Sequence, residues 1–424
     1  MIKIAVFGIG KSSTYLIKSL KGLNKSISIT LIDKNANALI KYSNYNTICL
    51  DILNTNKVNK ILNNNNLVIS LLPPSKHIQL ANLCIKNSTN LITASYVSPK
   101  MFALNKEAKN KNVFLLNEMG VDPGLDHITA CDLIEKIKAQ GGKITSFSSH
   151  TGGLIAQPKK NSWNYKFTWN PKNVITAGAE GASILKEKRV KKIAYQKLFS
   201  QTQSVEIGSL KYDSYANRNS LNYIEKYNLE NTENLYRGTL RHYGYCQAWN
   251  ELVIHGFTND KDFIQLNENA TRKDFFFSKM NNEAYKKLPS FFIEKINEIQ
   301  LLSDIPLKIT EGTAADILLS ILEDEWKLAP NDKDLLVMQH EIYYEIENKK
   351  FKATRSFEVI GENQLQTAMA KTVGIPIFEA VKLFIENKLP ITGVHIPTNP
   401  IIYQPILESL ENHGIHLKDE IQEL

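Results

Sequence analysis

At 424 residues the chain is too long for one ordinary core and divides most naturally into two or three domains. With 43% apolar and 22% charged residues it has the balance of a soluble globular protein, which excludes wholesale disorder, and no run approaches the ~20 apolar residues of a membrane helix. The net charge of +8 comes from lysines scattered along the chain, not from a basic tract, so nucleic-acid binding is not expected, whereas anionic small ligands are.

Ile2–Phe7 reads as a buried strand running straight into Gly8, without the basic lead or cleavage site of a signal peptide. The pattern then predicts a helix over Ser12–Lys21, strands at Ile27–Ile32 and Thr47–Leu50, and helices at Ala36–Tyr42 and Val58–Leu62. The strand Leu67–Leu72 ends at Pro73–Pro74, and a helix over Ser75–Lys86, a strand at Asn90–Ala94, a helix over Met101–Lys109 and a strand at Asn112–Leu116 follow. Such alternation implies a parallel sheet with right-handed crossovers. Leu125–Ala139 is a long helix stopped by Gly141–Gly142. Beyond it, strand-like Lys143–Ser149, Val205–Tyr212 and Gln247–Leu252 suggest a second, α+β domain. Asp274–Trp326 is helical, Leu336–Glu345 and Lys352–Ile360 return to strand alternation, and Gln364–Val373, Ile377–Ile385 and Ile401–His413 read as helices. The four cysteines, Cys49, Cys84, Cys131 and Cys246, are too widely spaced for a disulfide framework or a metal site, and a reducing cytoplasm suits them.

Gly8–Ile9–Gly10–Lys11–Ser12–Ser13 follows a strand and opens a helix, the context that marks a dinucleotide site. Gly8 permits the turn, Gly10 lets the backbone approach a pyrophosphate, Ser13 packs closely, and the exposed N–H groups from Lys11 and Ser12 onward favour phosphate. Asp33, twenty residues after Ser13 at the end of the second strand, is placed to hold ribose hydroxyls. It favours NAD, while Lys34 beside it suits the 2′-phosphate of NADP, so the choice between the two stays open. Asp51 either flanks the adenine or caps a helix, and Ser70–Leu71–Leu72–Pro73 sits where the rest of the dinucleotide belongs.

Three further stretches carry unusual chemistry: Thr93–Pro99, Asn117–His127, and the arginines Arg218, Arg237 and Arg241. Here the chain resembles the saccharopine dehydrogenases of the L-glutamate-forming type, in Ser95–Pro99, Asn117–His127, Gly152–Leu154, Tyr165–Trp169, Arg237–Arg241 and Ala368–Gly374. The resemblance implies a Rossmann-type parallel-sheet domain over 1–122, completed by about 390–424. With it comes an α+β substrate-binding and dimerisation domain over 123–389, having a mixed sheet and a small helical part near 275–330. It also implies that Ser95 and Tyr96 contact the amino-acid substrate, that Asp122 lines the nicotinamide, and that Arg218 with Thr239–Leu240–Arg241 takes substrate carboxylates.

The resemblance implies NAD- or NADP-dependent interconversion of saccharopine with glutamate plus α-aminoadipate semialdehyde through an imine, in lysine metabolism. Tyr96, Asp122 and His127 are the candidate proton carriers, with water as the alternative. The chain departs from the family in having His150–Thr151 where Tyr-Cys is usual, which puts Thr151 at the substrate and makes His150 a candidate proton donor, and in the loop Ile155–Lys160. A related imine reductase, such as a carboxynorspermidine dehydrogenase, would need acidic groups for its polyamine, against the arginines here; a non-catalytic dinucleotide sensor would need only the first domain. The expected partners are the small-molecule substrate and a possible second copy, with no nucleic acid, membrane or metal.

Overall fold

Strand β1 (Ile2–Phe7) buries Ile4, Ala5, Val6 and Phe7 in succession, without polar alternation, as a strand covered on both faces must. In the computed structural model, which describes residues 1–23, 27–157 and 161–424, β1 pairs in parallel with β2 (Ile27–Asp33) and β4 (Leu67–Ser70). With β3 (Asn46–Cys49), β5 (Asn90–Thr93), β6 (Phe114–Leu116) and the late strand Gly393–His395, the order is β3–β2–β1–β4–β5–β6–(Gly393–His395), all parallel. This is a doubly wound, Rossmann-type sheet whose order reverses between β1 and β4.

The chain forms two compact units, the first of Met1–Lys136 with Leu365–His416, the second of Ile137–Gln364 with Leu417–Leu424. The return into the first unit begins near Leu365, earlier than the expected 390, because one helix replaces the two expected over Gln364–Ile385. Ala368–Ile385 runs unbroken through Pro376, started by Thr367, whose side chain accepts from the Ala370 amide at 3.0 Å. Gly374 brings that helix against Thr14–Lys21: a Cβ there would stand 2.9 Å from Tyr15 Cδ1 and 3.1 Å from the Leu16 nitrogen. The last strand, Lys418–Glu423, leaves the first unit and pairs with Lys349–Ile360, with Arg355 donating twice to Asp419 at 2.7 and 2.6 Å.

The second unit is built on a mixed sheet ordered Gln203–Ile207, Leu210–Ala216, Asn234–His242, β7 (Lys143–Ile155), Asp334–Ile346, Lys349–Ile360, Lys418–Glu423. Ala182–Lys186 and Arg189–Ile193 form a hairpin joined to Asn234–His242. The expected strand over Val205–Tyr212 is a hairpin turning at Gly208. The expected strand Gln247–Leu252 is instead part of the helix Tyr245–Ile254, since Tyr245, Ala248, Trp249 and Leu252 bury one helical stripe. The helical part holds Arg272–Lys279, Ser290–Glu298 and Ala314–Glu325 around Phe257, Phe275, Phe292 and Trp326. Of the loop Ile155–Lys160, residues Pro158–Lys160 lie outside the described residues. No helix among the described residues is long and apolar enough to cross a membrane.

Gly374→Val should lower stability by about 2 kcal/mol, because the Leu16 backbone cannot yield to an added side chain. Scanning fluorimetry should show this as a clear fall in Tm, smaller for Gly374→Ala; an unchanged Tm for the valine variant would disprove the close helix contact.

Candidate active site

Gly8 adopts φ +93°, and a Cβ there would sit 2.8 Å from the Leu71 carbonyl carbon and oxygen. Only glycine fits at this point of the order reversal, where Leu71 N–H also donates to the Phe7 carbonyl at 2.8 Å. Gly10 is exposed, with nothing within 4 Å of the position its Cβ would take. The expected helix start is a 3₁₀ turn, Lys11–Ser13, running into Thr14–Lys21, and Ser13 is buried with its hydroxyl donating to the Gly10 carbonyl at 2.8 Å. Gly10, exposed Lys11 and half-buried Ser12 thus leave open backbone beside a turn of N–H groups, which fits a pyrophosphate.

Asp33 does not point freely outward. Its carboxylate accepts from the Ile9 amide at 2.7 Å and from the Asn35 amide at 2.8 Å, tying the second strand's end to the glycine turn. Lys34 beside it is exposed. Asp51 is exposed as well, and accepts from Leu53 N–H at 2.9 Å as a turn residue does.

The next strand ends carry a polar chain of contacts. Ser70, fully buried, turns its hydroxyl toward His77 Nδ1 at 3.0 Å, and His77 Nε2 lies 2.7 Å from the Ser95 hydroxyl. Tyr96 donates its phenol proton to Asp122 Oδ1 at 2.7 Å, so two of the three candidate proton carriers meet. His127 is buried, with Nε2 2.8 Å from Glu118 Oε2 and Nδ1 3.4 Å from Asp126. Glu118 Oε1 accepts from Val97 N–H at 2.9 Å, while the Glu118 and Met119 amides donate to the Ser95 and Thr93 carbonyls at 3.1 and 3.0 Å.

In the second unit, strand register gathers the remaining predicted residues. Thr239 pairs with Thr151 on β7 and with Tyr215, and Arg237 and Arg241 stand two residues to either side, so all five project from one face. Leu240 projects from the other, into a core with Leu154, Tyr212 and Val337, so its side chain is a packing residue and not a substrate contact. Arg241 is buried 5.1, 5.5 and 5.4 Å from the ring centres of Tyr165, Tyr215 and Tyr245. It donates to the Leu240 carbonyl at 2.9 Å and to the Tyr215 hydroxyl at 3.2 Å. Arg241 Nε, the Tyr165 hydroxyl and the Thr151 hydroxyl are buried with no hydrogen-bond partner among the described residues. Such atoms stay unpaired at a cost unless a ligand satisfies them. Arg237 is also buried, its guanidinium 4.2 Å over Tyr223. Arg218 is exposed, at φ +52°, where its carbonyl accepts from Ser183 N–H at 2.9 Å. His150 is buried with Nδ1 2.9 Å from the Ser214 hydroxyl, and burial pushes its pKa down to about 4. Burial thus favours its neutral form.

His77, Glu118 and the tyrosines around Arg241 escaped the sequence reading as functional groups. A histidine on an amphipathic helix carries no local signal, and Glu118 was visible only as one letter of the Asn117–His127 stretch.

An open glycine turn at the order reversal of a parallel sheet is the arrangement of a dinucleotide-binding domain, and the family comparisons make the chain a dinucleotide-dependent oxidoreductase. The chain matches the saccharopine dehydrogenase NADP binding domain over residues 4–116 and the saccharopine dehydrogenase C-terminal domain over residues 120–415. The chain belongs to the saccharopine dehydrogenase family. It is 32% identical over 402 residues to the NADP⁺, L-glutamate-forming saccharopine dehydrogenase of Pyricularia oryzae, covering 88% of each chain. It is 31% identical over 441 residues to the mitochondrial alpha-aminoadipic semialdehyde synthase of Rattus norvegicus, covering 97% of this chain and 47% of that protein. The apo L-glutamate-forming saccharopine dehydrogenase of Saccharomyces cerevisiae superposes over 100% of both chains at a TM-score of 0.87 and 26% identity.

Burial lowers the pKa of both His77 and His150 to about 4, below the ~6.5 of an unfolded histidine. The unfolded chain therefore binds more protons between those values, and stability falls as pH drops through that window. Urea unfolding should show a loss of about 1–2 kcal/mol per histidine between pH 7 and pH 5. His150→Gln should remove part of that loss; an unaltered pH slope would mean that His150 titrates normally in the folded protein.

Proposed function

We propose that this chain oxidises saccharopine to glutamate and α-aminoadipate semialdehyde, and runs the reverse reductive condensation, in lysine metabolism. It is an NAD(P)-dependent oxidoreductase acting on a CH–NH bond. The observation that carries the substrate assignment is buried Arg241 in its tyrosine surround, with Nε unpaired among the described residues on the sheet face that holds Thr151, Thr239 and Arg237. A buried guanidinium with an unused N–H suits a carboxylate, and saccharopine has three. In this reading the first unit binds the dinucleotide and carries Ser95 and Tyr96, and the second unit supplies arginines for carboxylates.

Gly8, Gly10, Lys11, Ser12 and Ser13 form the pyrophosphate turn, Asp33 and Lys34 the ribose end, Asp51 the adenine side, and Ser70–Leu71 the approach to the nicotinamide. When bound, the dinucleotide accepts the hydride from the carbon beside the secondary amine. Ser95 and Tyr96 orient the amino acid, and Tyr96 with Asp122 moves the proton that imine hydrolysis or formation requires. Arg218, Thr239 and Arg241 hold carboxylates, Leu240 contributing backbone only. NADP is the preferred dinucleotide: the Asp33 oxygens already accept from Ile9 and Asn35, and exposed Lys34 supplies a cation for a 2′-phosphate. Free cysteines support a reducing cytoplasm. A homodimer completes the reading, and the fully exposed edge strand Lys418–Glu423 is a surface that suits pairing.

Purified protein should reduce NADP⁺ when saccharopine is added, faster than NAD⁺; folded protein that binds NADPH yet gives no reduced-cofactor absorbance with either would sink the assignment. Arg218→Ala should raise the saccharopine KM by about tenfold to a hundredfold while NADPH affinity holds. Lys34→Ala should weaken NADPH about tenfold and leave NADH within about twofold, by fluorescence titration; equal weakening of both would remove Lys34 from the phosphate.

A further inference from the structure

His77 stands on the helix Pro74–Lys86 and is 4% exposed. Its ring is 3.0 Å from the Ser70 hydroxyl through Nδ1 and 2.7 Å from the Ser95 hydroxyl through Nε2. Ser70 and Thr93 are register partners at the ends of β4 and β5, and the Thr93 hydroxyl lies 3.4 Å from both ring nitrogens. Both parallel strands therefore turn a hydroxyl toward one imidazole, and the loop that follows β5 brings in a third. Burial keeps the ring neutral, with a pKa pushed down to about 4.

We infer that His77 is a positioning residue, which ties the Ser95 hydroxyl to the Ser70 hydroxyl and so fixes whether Ser95 turns its proton or a lone pair toward the amino-acid substrate. The inference rests on the reading in which Ser95 contacts that substrate. A neutral imidazole has one N–H and one bare nitrogen, so its two serine contacts are linked. If Nδ1 carries the proton, Nε2 must accept from Ser95, whose oxygen is left to accept from an ammonium or secondary amine. If Nε2 carries it, Ser95 receives that hydrogen bond and its own proton is left for a carboxylate. Ser70 sits at the dinucleotide end of β4 and Ser95 on the substrate loop after β5, so the ring joins the two binding functions within one unit. A rotating hydroxyl costs affinity through lost orientation; a tethered one does not.

The test is a double-mutant cycle with a spectroscopic arm. His77→Phe keeps a ring in the cavity and removes both polar contacts. It should raise the saccharopine KM by about tenfold while leaving the NADPH Kd within about twofold, and Ser95→Ala should do the same. Because His77 acts through Ser95, the double variant should be no worse than about tenfold; an additive loss of about a hundredfold would overturn the inference. His77→Gln, which retains a donor and an acceptor, should recover most of the KM, and failure to recover any would point to ring packing alone. In the full-length chain labelled with ¹⁵N-histidine, Ser95→Ala should shift the His77 Nε2 resonance and Ser70→Ala the Nδ1 resonance. Unmoved resonances would disprove the tether whether or not saccharopine is turned over. A wild-type protein that shows these shifts but no saccharopine oxidation would instead count against the substrate.

Discussion

The buried carboxylate of Glu118 is the constraint around which the Tyr96–Asp122 region of the first unit is organised. At 1% exposure and φ +58°, this residue combines a buried charge with a backbone conformation that L-residues seldom adopt. Such a group is tolerable only when its oxygens are engaged, and here one accepts from Val97 N–H and the other faces the His127 ring. Val97 directly follows Ser95 and Tyr96, and His127 opens the helix after Asp122–Pro123–Gly124. One side chain thus joins the loop that presents the tyrosine to the segment that presents its carboxylate partner. The 2.7 Å Tyr96–Asp122 contact follows from that arrangement. His127 stands against the Glu118 carboxylate in the interior, Nε2 2.8 Å from Oε2.

The cofactor end was legible in the sequence because its chemistry is backbone chemistry. A glycine that must hold φ +93° beside a neighbouring carbonyl leaves a two-letter trace, and parallel strands buried on both faces leave unbroken apolar runs. The tertiary meaning of Asp33 was less legible, since spacing places a carboxylate at the strand end but does not reveal that the glycine turn itself engages it. The long helix Leu125–Ala139 and the strands expected at Leu336–Glu345 and Lys352–Ile360 were also readable from local pattern.

The second unit was harder for a physical reason. Its central strand Asn234–His242 carries Arg237, Thr239 and Arg241 at alternate positions, all on one face, where a half-buried strand would ordinarily place apolar side chains. Buried arginine breaks the pattern that identifies a strand, so only the motif drew notice. The helix Tyr245–Ile254 suffered the opposite error: aromatic and β-branched residues raised its strand propensity, and packing of Trp249 and Tyr245 with Trp163 and Trp326 decided otherwise. The route of the chain was illegible as well, because the return at Leu365 depends on a glycine contact between helices more than 350 residues apart in sequence.

Those two kinds of legibility reflect two ways of recognising an anion. At Gly10 the main chain lies open, with nothing within 4 Å of where a Cβ would stand, an arrangement that suits a phosphate and needs little else specified. In the second unit the buried Arg241 must keep its charge inside the protein. Three tyrosine rings with centres at 5.1–5.5 Å stabilise that cation, and no carboxylate pairs with it among the described residues. An aspartate in the same place would engage the guanidinium in an ion pair that any anionic ligand would first have to break. The tyrosine surround therefore stabilises a buried arginine while its Nε stays without a hydrogen-bond partner among the described residues.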